Sequence, residues 1–160
     1  MTPFAHCDIS AVLAWITSID FALWPQQHRI DDQLRPAMVN DIEWHGFGSH
    51  TDDLVKELLV EFSLQLVVEF PLRYVAFNRM LSVVMPGHSI PPHVDAQQPE
   101  WITRVHVPIT TNERAFMTID GVQHSLAIGS AYLIDTRCEH AIRNDGDTPR
   151  IHFMVDVRRS

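Results

Sequence analysis

His93-Val94-Asp95 sets an imidazole and a carboxylate one residue apart. On extended backbone alternate side chains project to one side, so this pair converges on one point. Two histidines and one carboxylate occupy a single face of a metal and leave three positions open. That arrangement suits non-haem Fe(II), which must take a chelating co-substrate and O2 together. The tripeptide describes a solvated pair on a surface turn equally well, and a chain with 10 histidines contains such pairs by chance. Its meaning depends on what accompanies it.

The company lies in the last third of the chain. His140 follows a β-like run, Ala131–Ile134, and a short bend; Arg150 follows across Asn144-Asp145-Gly146-Asp147. A 2-oxo acid such as 2-oxoglutarate chelates iron through its keto-acid end and leaves a carboxylate pointing inward. A buried arginine on the next strand is a natural partner, because guanidinium binds carboxylate in a planar, charge-assisted fork. An exposed arginine at a strand start is the competing reading of Arg150. If the strands of His140 and Arg150 form a hairpin, a two-residue turn at Asp145-Gly146 sets Arg150 opposite Ala141, leaving His140 on the wrong face. The reading therefore requires a bulged or three-residue turn, or a bend before Ala141.

These residues need a scaffold. Short β-like runs follow one another from Tyr74: Tyr74–Met85, Trp101–Ile109, Phe116–Ile119, Ser125–Ala127, Ala131–Ile134, Ala141–Arg143 and Arg150–Val157. Turn signals such as Pro86-Gly87, Pro91-Pro92 and Asp120-Gly121 separate them. In three runs one face is apolar: Leu81, Val83 and Met85; Val105, Val107 and Ile109; Ile151, Phe153, Val155 and Val157. The alternate face carries Ser82, Arg104, His106, Arg150, His152 and Asp156. An apolar face under helices and a polar face turned inward imply a barrel with a polar pocket. Upstream, Asp8–Phe21 and Ser49–Gln65 carry helical stripes, with Asp8 or Ser10, and Thr51, as caps. The segment Trp24–Phe47 reads as loop or short strands. The predicted architecture is mainly β: a double-stranded β-helix (jelly roll, cupin-like) with N-terminal helices packed on one sheet. One domain is expected over 1–160, with 1–73 as support and 74–160 as the catalytic core.

Composition narrows the classes. Apolar content of 46% and charged content of 20% are globular values. The net charge of −8, with scattered arginines and Lys56 as the single lysine, argues against nucleic acid as a partner. Apolar stretches fall well short of the ~20 residues of a membrane span, so no membrane partner is expected. Cys7 and Cys138 do not make a disulfide framework, and Met1–Asp8 has no leader-like pattern. A reducing cytoplasm is the expected compartment; no pattern specifies an oligomeric state.

Over Leu81–Val157 the chain resembles the catalytic domain of the aspartyl/asparaginyl β-hydroxylase family of Fe(II)- and 2-oxoglutarate-dependent oxygenases. The matching stretches run from Pro86 to Asp95, from Arg104 to Ile109, from Gly129 through Asp135 to His140, then Asn144–Asp147 and Arg150-Ile151-His152. The resemblance implies iron ligands His93, Asp95 and His140. It implies Arg150 on the distal carboxylate of 2-oxoglutarate together with Ser82, and Arg104 and His106 close to the co-substrate. The best-known animal peptidyl hydroxylases of the family lack the acidic ligand. Keeping Asp95 resembles the free-standing bacterial type, some members of which hydroxylate free amino acids such as proline. The expected substrate is accordingly a small molecule or peptide.

Two other classes share such a barrel: a cupin-like metal enzyme without 2-oxoglutarate, and a non-catalytic module that binds a small acid. Among other residues, Cys138 reads as a packed thiol, and His88 and His124 as surface histidines. His152 reads as pocket lining or as a satisfied core histidine. Trp44, Phe47 and Trp101 read as core or as a substrate wall, and Asn144 and Asp147 as turn residues.

Overall fold

The structure is a computed structural model that describes residues 1–18, 29–30, 33–34, 38–40, 74–95 and 102–159. The strands from β5 to β12 are β5 (Tyr74–Val84), β6 (Ser89–His93), β7 (Ile102–Thr110), β8 (Ala115–Ile119), β9 (Val122–His124), β10 (Ser130–Ile134), β11 (His140–Asn144) and β12 (Arg150–Arg159). They form two antiparallel sheets, ordered β10-β7-β12-β5 and β6-β11-β8-β9. Successive strands alternate between the sheets except at the β8–β9 hairpin, which is the jelly-roll path. β1 (Ala5–His6) and β4 (Met38–Asn40) extend the larger sheet at its two edges, while β2 (Arg29–Ile30) pairs with β3 (Gln33–Leu34). The jelly-roll expectation is met. Among the described residues no helix is long and apolar enough to cross a membrane.

Alternation along the strands decides which residues go where. Val83, Val105, Val107, Ile109, Ile151, Phe153, Val155 and Val157 share one cluster with Val12 and Ile16 of α1 (Ser10–Thr17). This is the outer face of the larger sheet, and α1 contributes Val12 and Ile16 to the cluster on it. Asp8 caps that helix, its Oδ1 accepting from the Ser10 amide at 2.9 Å. The helix is shorter than the Asp8–Phe21 pattern, and the second pattern, Ser49–Gln65, lies outside the described residues. Between the sheets a second cluster joins Val84, Tyr132 and Ile134 of the larger sheet to Ile90, Met117 and Ile142 of the smaller. Ser82, Arg104, His106, Arg150, His152 and Asp156 share the register of this inward face.

Turn chemistry reads well at β8–β9. Asp120 and Gly121 both have positive φ, 47° and 75°, and close a two-residue turn between Ile119 and Val122. The strand expected at Ser125–Ala127 lies instead at Val122–His124.

The hairpin expected between His140 and Arg150 does not exist. β11 pairs with β6 and β8, whereas β12 pairs with β5 and β7, so Arg150 stands opposite Val84 on the other sheet. The five residues between the strands, Asp145 to Pro149, cross from sheet to sheet, and the register argument over turn length does not apply. Asn144, fully buried, holds the crossing: its Nδ2 donates to Val84 O at 2.8 Å and Thr148 O at 2.9 Å, while its Oδ1 accepts from Asn112 Nδ2 at 3.0 Å. Gly146 packs against the Asn112 amide so closely that a Cβ would overlap it. Asn144 is thus more than a turn residue. It ties the two sheets together beside the site.

Candidate active site

His93 ends β6, an edge strand whose Pro91 and Pro92 cannot donate to a ladder. Between His140/His93 and Ile142/Ile90 the register slips by one residue, a bulge at the two prolines. The consequence is that His93 lies directly opposite His140, with ring centroids 4.2 Å apart. Both rings are oriented in the same way. Nδ1 of His93 donates to the Pro91 carbonyl at 2.8 Å, and Nδ1 of His140 to the Cys138 carbonyl at 3.0 Å. Pinning the proton on Nδ1 leaves the Nε2 lone pair free, the tautomer a metal ligand needs. Burial holds the His140 imidazole below its ordinary pKa, which also favours the neutral ring.

Asp95 is held by its backbone, whose amide donates to Thr136 O at 3.0 Å in the bend before His140. Its Oδ1 lies 3.9 Å from His93 Nε2. One ligand atom each from His93, Asp95 and His140 falls within 4.8 Å of the others, so small side-chain rotations bring all three onto one ion. The His93 and Asp95 side chains are 29% and 23% exposed, so this end of the barrel opens to solvent.

Deeper on the inward face, some buried polar atoms have no hydrogen-bond partner among the described residues. Arg150 is 1% exposed, and burial pushes its pKa down to about 9. Its Nη2 donates to His152 Nδ1 at 3.0 Å, but its Nη1 has no partner. Ser82, opposite His152 and diagonal to Arg150, has a buried and unpartnered Oγ. Both nitrogens of His106 are buried and unpartnered, and its ring packs edge-on against His152 at 5.8 Å. Native interiors rarely leave buried polar atoms unsatisfied. Three of them, beside a buried guanidinium whose own Nη1 is the fourth, are what a ligand with several acceptors and a negative charge would satisfy. His152 was legible as a possible lining residue; its role in orienting Arg150 required the contact itself.

Arg104 stands beside the candidate ligand Asp95, with its guanidinium engaged by carboxylates. Its Nε and Nη2 grip Asp156 at 2.6 and 3.0 Å, and its Nη1 donates to Asp95 Oδ2 at 2.9 Å. Two carboxylates thus occupy the guanidinium. The two ion pairs raise its pKa against the opposing effect of burial. Asp156 was visible only as one polar residue of the inward face. Trp44, Phe47 and Trp101 lie outside the described residues. His88 donates from Nδ1 to Pro86 O and takes no part in the site.

The inward histidines have a consequence for stability. Burial first, then neighbouring cations, hold His106 and His152 well below the usual imidazole pKa. Below about pH 6.5 the unfolded chain binds protons at both positions that the folded chain refuses. Stability is therefore expected to fall with acidification from about pH 6.5 downward, by about 1.4 kcal/mol per pH unit for each group once its unfolded form is protonated. Urea denaturation at about pH 7.5 and pH 5 measures this, and His106→Leu should flatten the dependence by one group's share. An unchanged slope in that variant would remove His106 from the account.

A double-stranded β-helix with two histidines and an aspartate converging at its mouth defines the class: a jelly-roll protein with a His/Asp/His cluster that could hold a metal ion. The sequence profile of the aspartyl/asparaginyl beta-hydroxylase family matches residues 55–160, and the chain belongs to that family. No curated protein sequence matches it. Solved structures share its fold at low identity. EvdMO1 is 14% identical with a TM-score of 0.63, the match covering 98% of this chain and 46% of that one. The chain thus spans under half the length of EvdMO1. A non-heme monooxygenase, ThoJ, in complex with nickel is 18% identical with a TM-score of 0.60, covering 99% of this chain and 73% of that one. A 2OG-Fe(II) oxygenase family oxidoreductase from Burkholderia pseudomallei is 14% identical with a TM-score of 0.52, covering 72% and 61%.

Proposed function

We propose that the chain is an Fe(II)- and 2-oxoglutarate-dependent dioxygenase that hydroxylates an unactivated C–H of an amino acid, a peptidyl residue or a related small molecule. One observation carries the reading. The donor atoms of His93, Asp95 and His140 converge at the mouth of the same interior in which Arg150 holds an unpartnered Nη1. His106 links the two, lying in the electrostatic reach of Arg104, Arg150 and His140. A metal site alone does not call for a buried, uncompensated guanidinium; a metal site that shares its cavity with a chelating dicarboxylate does.

In this reading His93 and His140 bind iron through Nε2, with Asp95 as the third ligand. Arg150 clamps the far carboxylate of 2-oxoglutarate through Nη1, and the Ser82 hydroxyl donates to it. His152 accepts from Nη2 and so fixes the plane of the guanidinium. His106, held neutral, keeps one donor and one acceptor for the co-substrate between the two ends. Iron with 2-oxoglutarate and O2 supplies the oxidising power for C–H hydroxylation, the co-substrate leaving as succinate and CO2. Tyr132, Ile134, Met117 and Ile142 close the interior to water. The protein's own contribution is geometry and exclusion.

The test is succinate release by the full chain with Fe(II), 2-oxoglutarate and O2, screened against free amino acids and short peptides. Succinate formation that needs both iron and O2, and that one substrate class stimulates, is the expected result. Folded protein that binds iron but never consumes 2-oxoglutarate in any arm would overturn the reading.

A further inference from the structure

Asp156 is a fully buried carboxylate, 1% exposed, on β12 opposite Arg104 of β7. A buried ion pair by itself is weak evidence of a stabilising role, since desolvation offsets much of the attraction. What distinguishes this one is how the guanidinium is divided. Asp156 takes the Nε/Nη2 edge with both of its oxygens, which locks the plane of the fork. The remaining Nη1 reaches Asp95 alone and takes only Oδ2. Oδ1 is left on the side of His93 Nε2.

We propose that Asp156 is a positioning residue for the metal site, fixing through Arg104 which oxygen of Asp95 faces the metal and offsetting the positive charge beside it. The inference rests on the metal reading of His93, Asp95 and His140, and not on 2-oxoglutarate. Without Asp156 the guanidinium is free to turn its two-nitrogen edge onto Asp95 and take both oxygens. Arg104 then competes with the metal for its own ligand and adds an uncompensated positive charge next to a dication. With Asp156 present, Arg104 orients Asp95 without competing for it.

The experiment is Co(II) titration of the full chain without co-substrate, read by visible absorbance, with far-UV circular dichroism to check the fold. Asp156→Asn is expected to weaken Co(II) binding by roughly 10- to 100-fold. Adding Arg104→Gln to that variant removes the competitor and should restore part of the loss, because the two residues act as a unit and their effects do not add. Asp156→Asn binding as tightly as wild type overturns the proposal, as does a double variant no tighter than Asp156→Asn. If the single variant does not fold, the double variant, which leaves no unpaired buried charge, is compared with wild type and Asp95→Ala. Affinity between the two is expected, and affinity equal to wild type overturns the tether. Wild-type chain that binds no Co(II) overturns the metal reading and this inference together; wild-type binding with an unaffected Asp156→Asn overturns this inference alone.

Discussion

His93→Ala and Asp95→Ala are each expected to remove metal binding and iron-dependent succinate formation while leaving the fold near native. His93 ends an edge strand and both side chains are partly exposed, so neither truncation opens a cavity in the core. Losing a ligand outright should exceed the roughly 10- to 100-fold that losing an outer hydrogen-bond partner costs in metal affinity. Asp95→Ala carries a second penalty, because it leaves Arg104 Nη1 without its acceptor beside the metal. Co(II) titration and succinate release measure both effects, and thermal unfolding confirms the fold. Activity that survives both changes would remove the triad from the mechanism.

Arg150→Met is expected to separate co-substrate from metal. The guanidinium is buried and lacks any carboxylate partner among the described residues, and in the proposed function the co-substrate carboxylate would compensate it. Truncating one member of a buried, charge-assisted pair costs about 2–5 kcal/mol, roughly 30- to 4000-fold in the half-saturating concentration of 2-oxoglutarate. Co(II) affinity without co-substrate should change little, since Arg150 bonds to none of the three ligands. The ligand-free protein should be no less stable, as urea denaturation of variant and wild type measures directly. Methionine keeps much of the side-chain volume, and the change removes a desolvated cation that the folded chain tolerates at a cost. An unchanged 2-oxoglutarate requirement takes Arg150 out of the role. A large loss of stability without ligand would instead make it a structural residue.

The inward and outward faces of β5, β7 and β12 were readable from alternation alone, because a side-chain period of two admits one apolar face per strand and burial then assigns it. So were the α1 stripe, the Asp120-Gly121 turn and the pairing of His93 with Asp95. What sequence could not settle was which sheet each strand joins. Short strands with similar composition suit several partners, and a hairpin between β11 and β12 was the local expectation. The jelly-roll path overrides it, with Asn144 and Gly146 packing the crossing that residue types alone present as a turn.

His93, Asp95 and His140 were therefore named by the sequence, as were the polar residues that must share their interior. The tertiary structure decided what those residues do to one another. The bulge at Pro91-Pro92 sets His93 opposite His140, and the backbone carbonyls choose their tautomers. Arg104 is brought between Asp95 and Asp156 and bonds to both. Each of these depends on groups brought together across two sheets from distant parts of the chain. Residue type and local spacing carry no record of such distances, because only packing closes them.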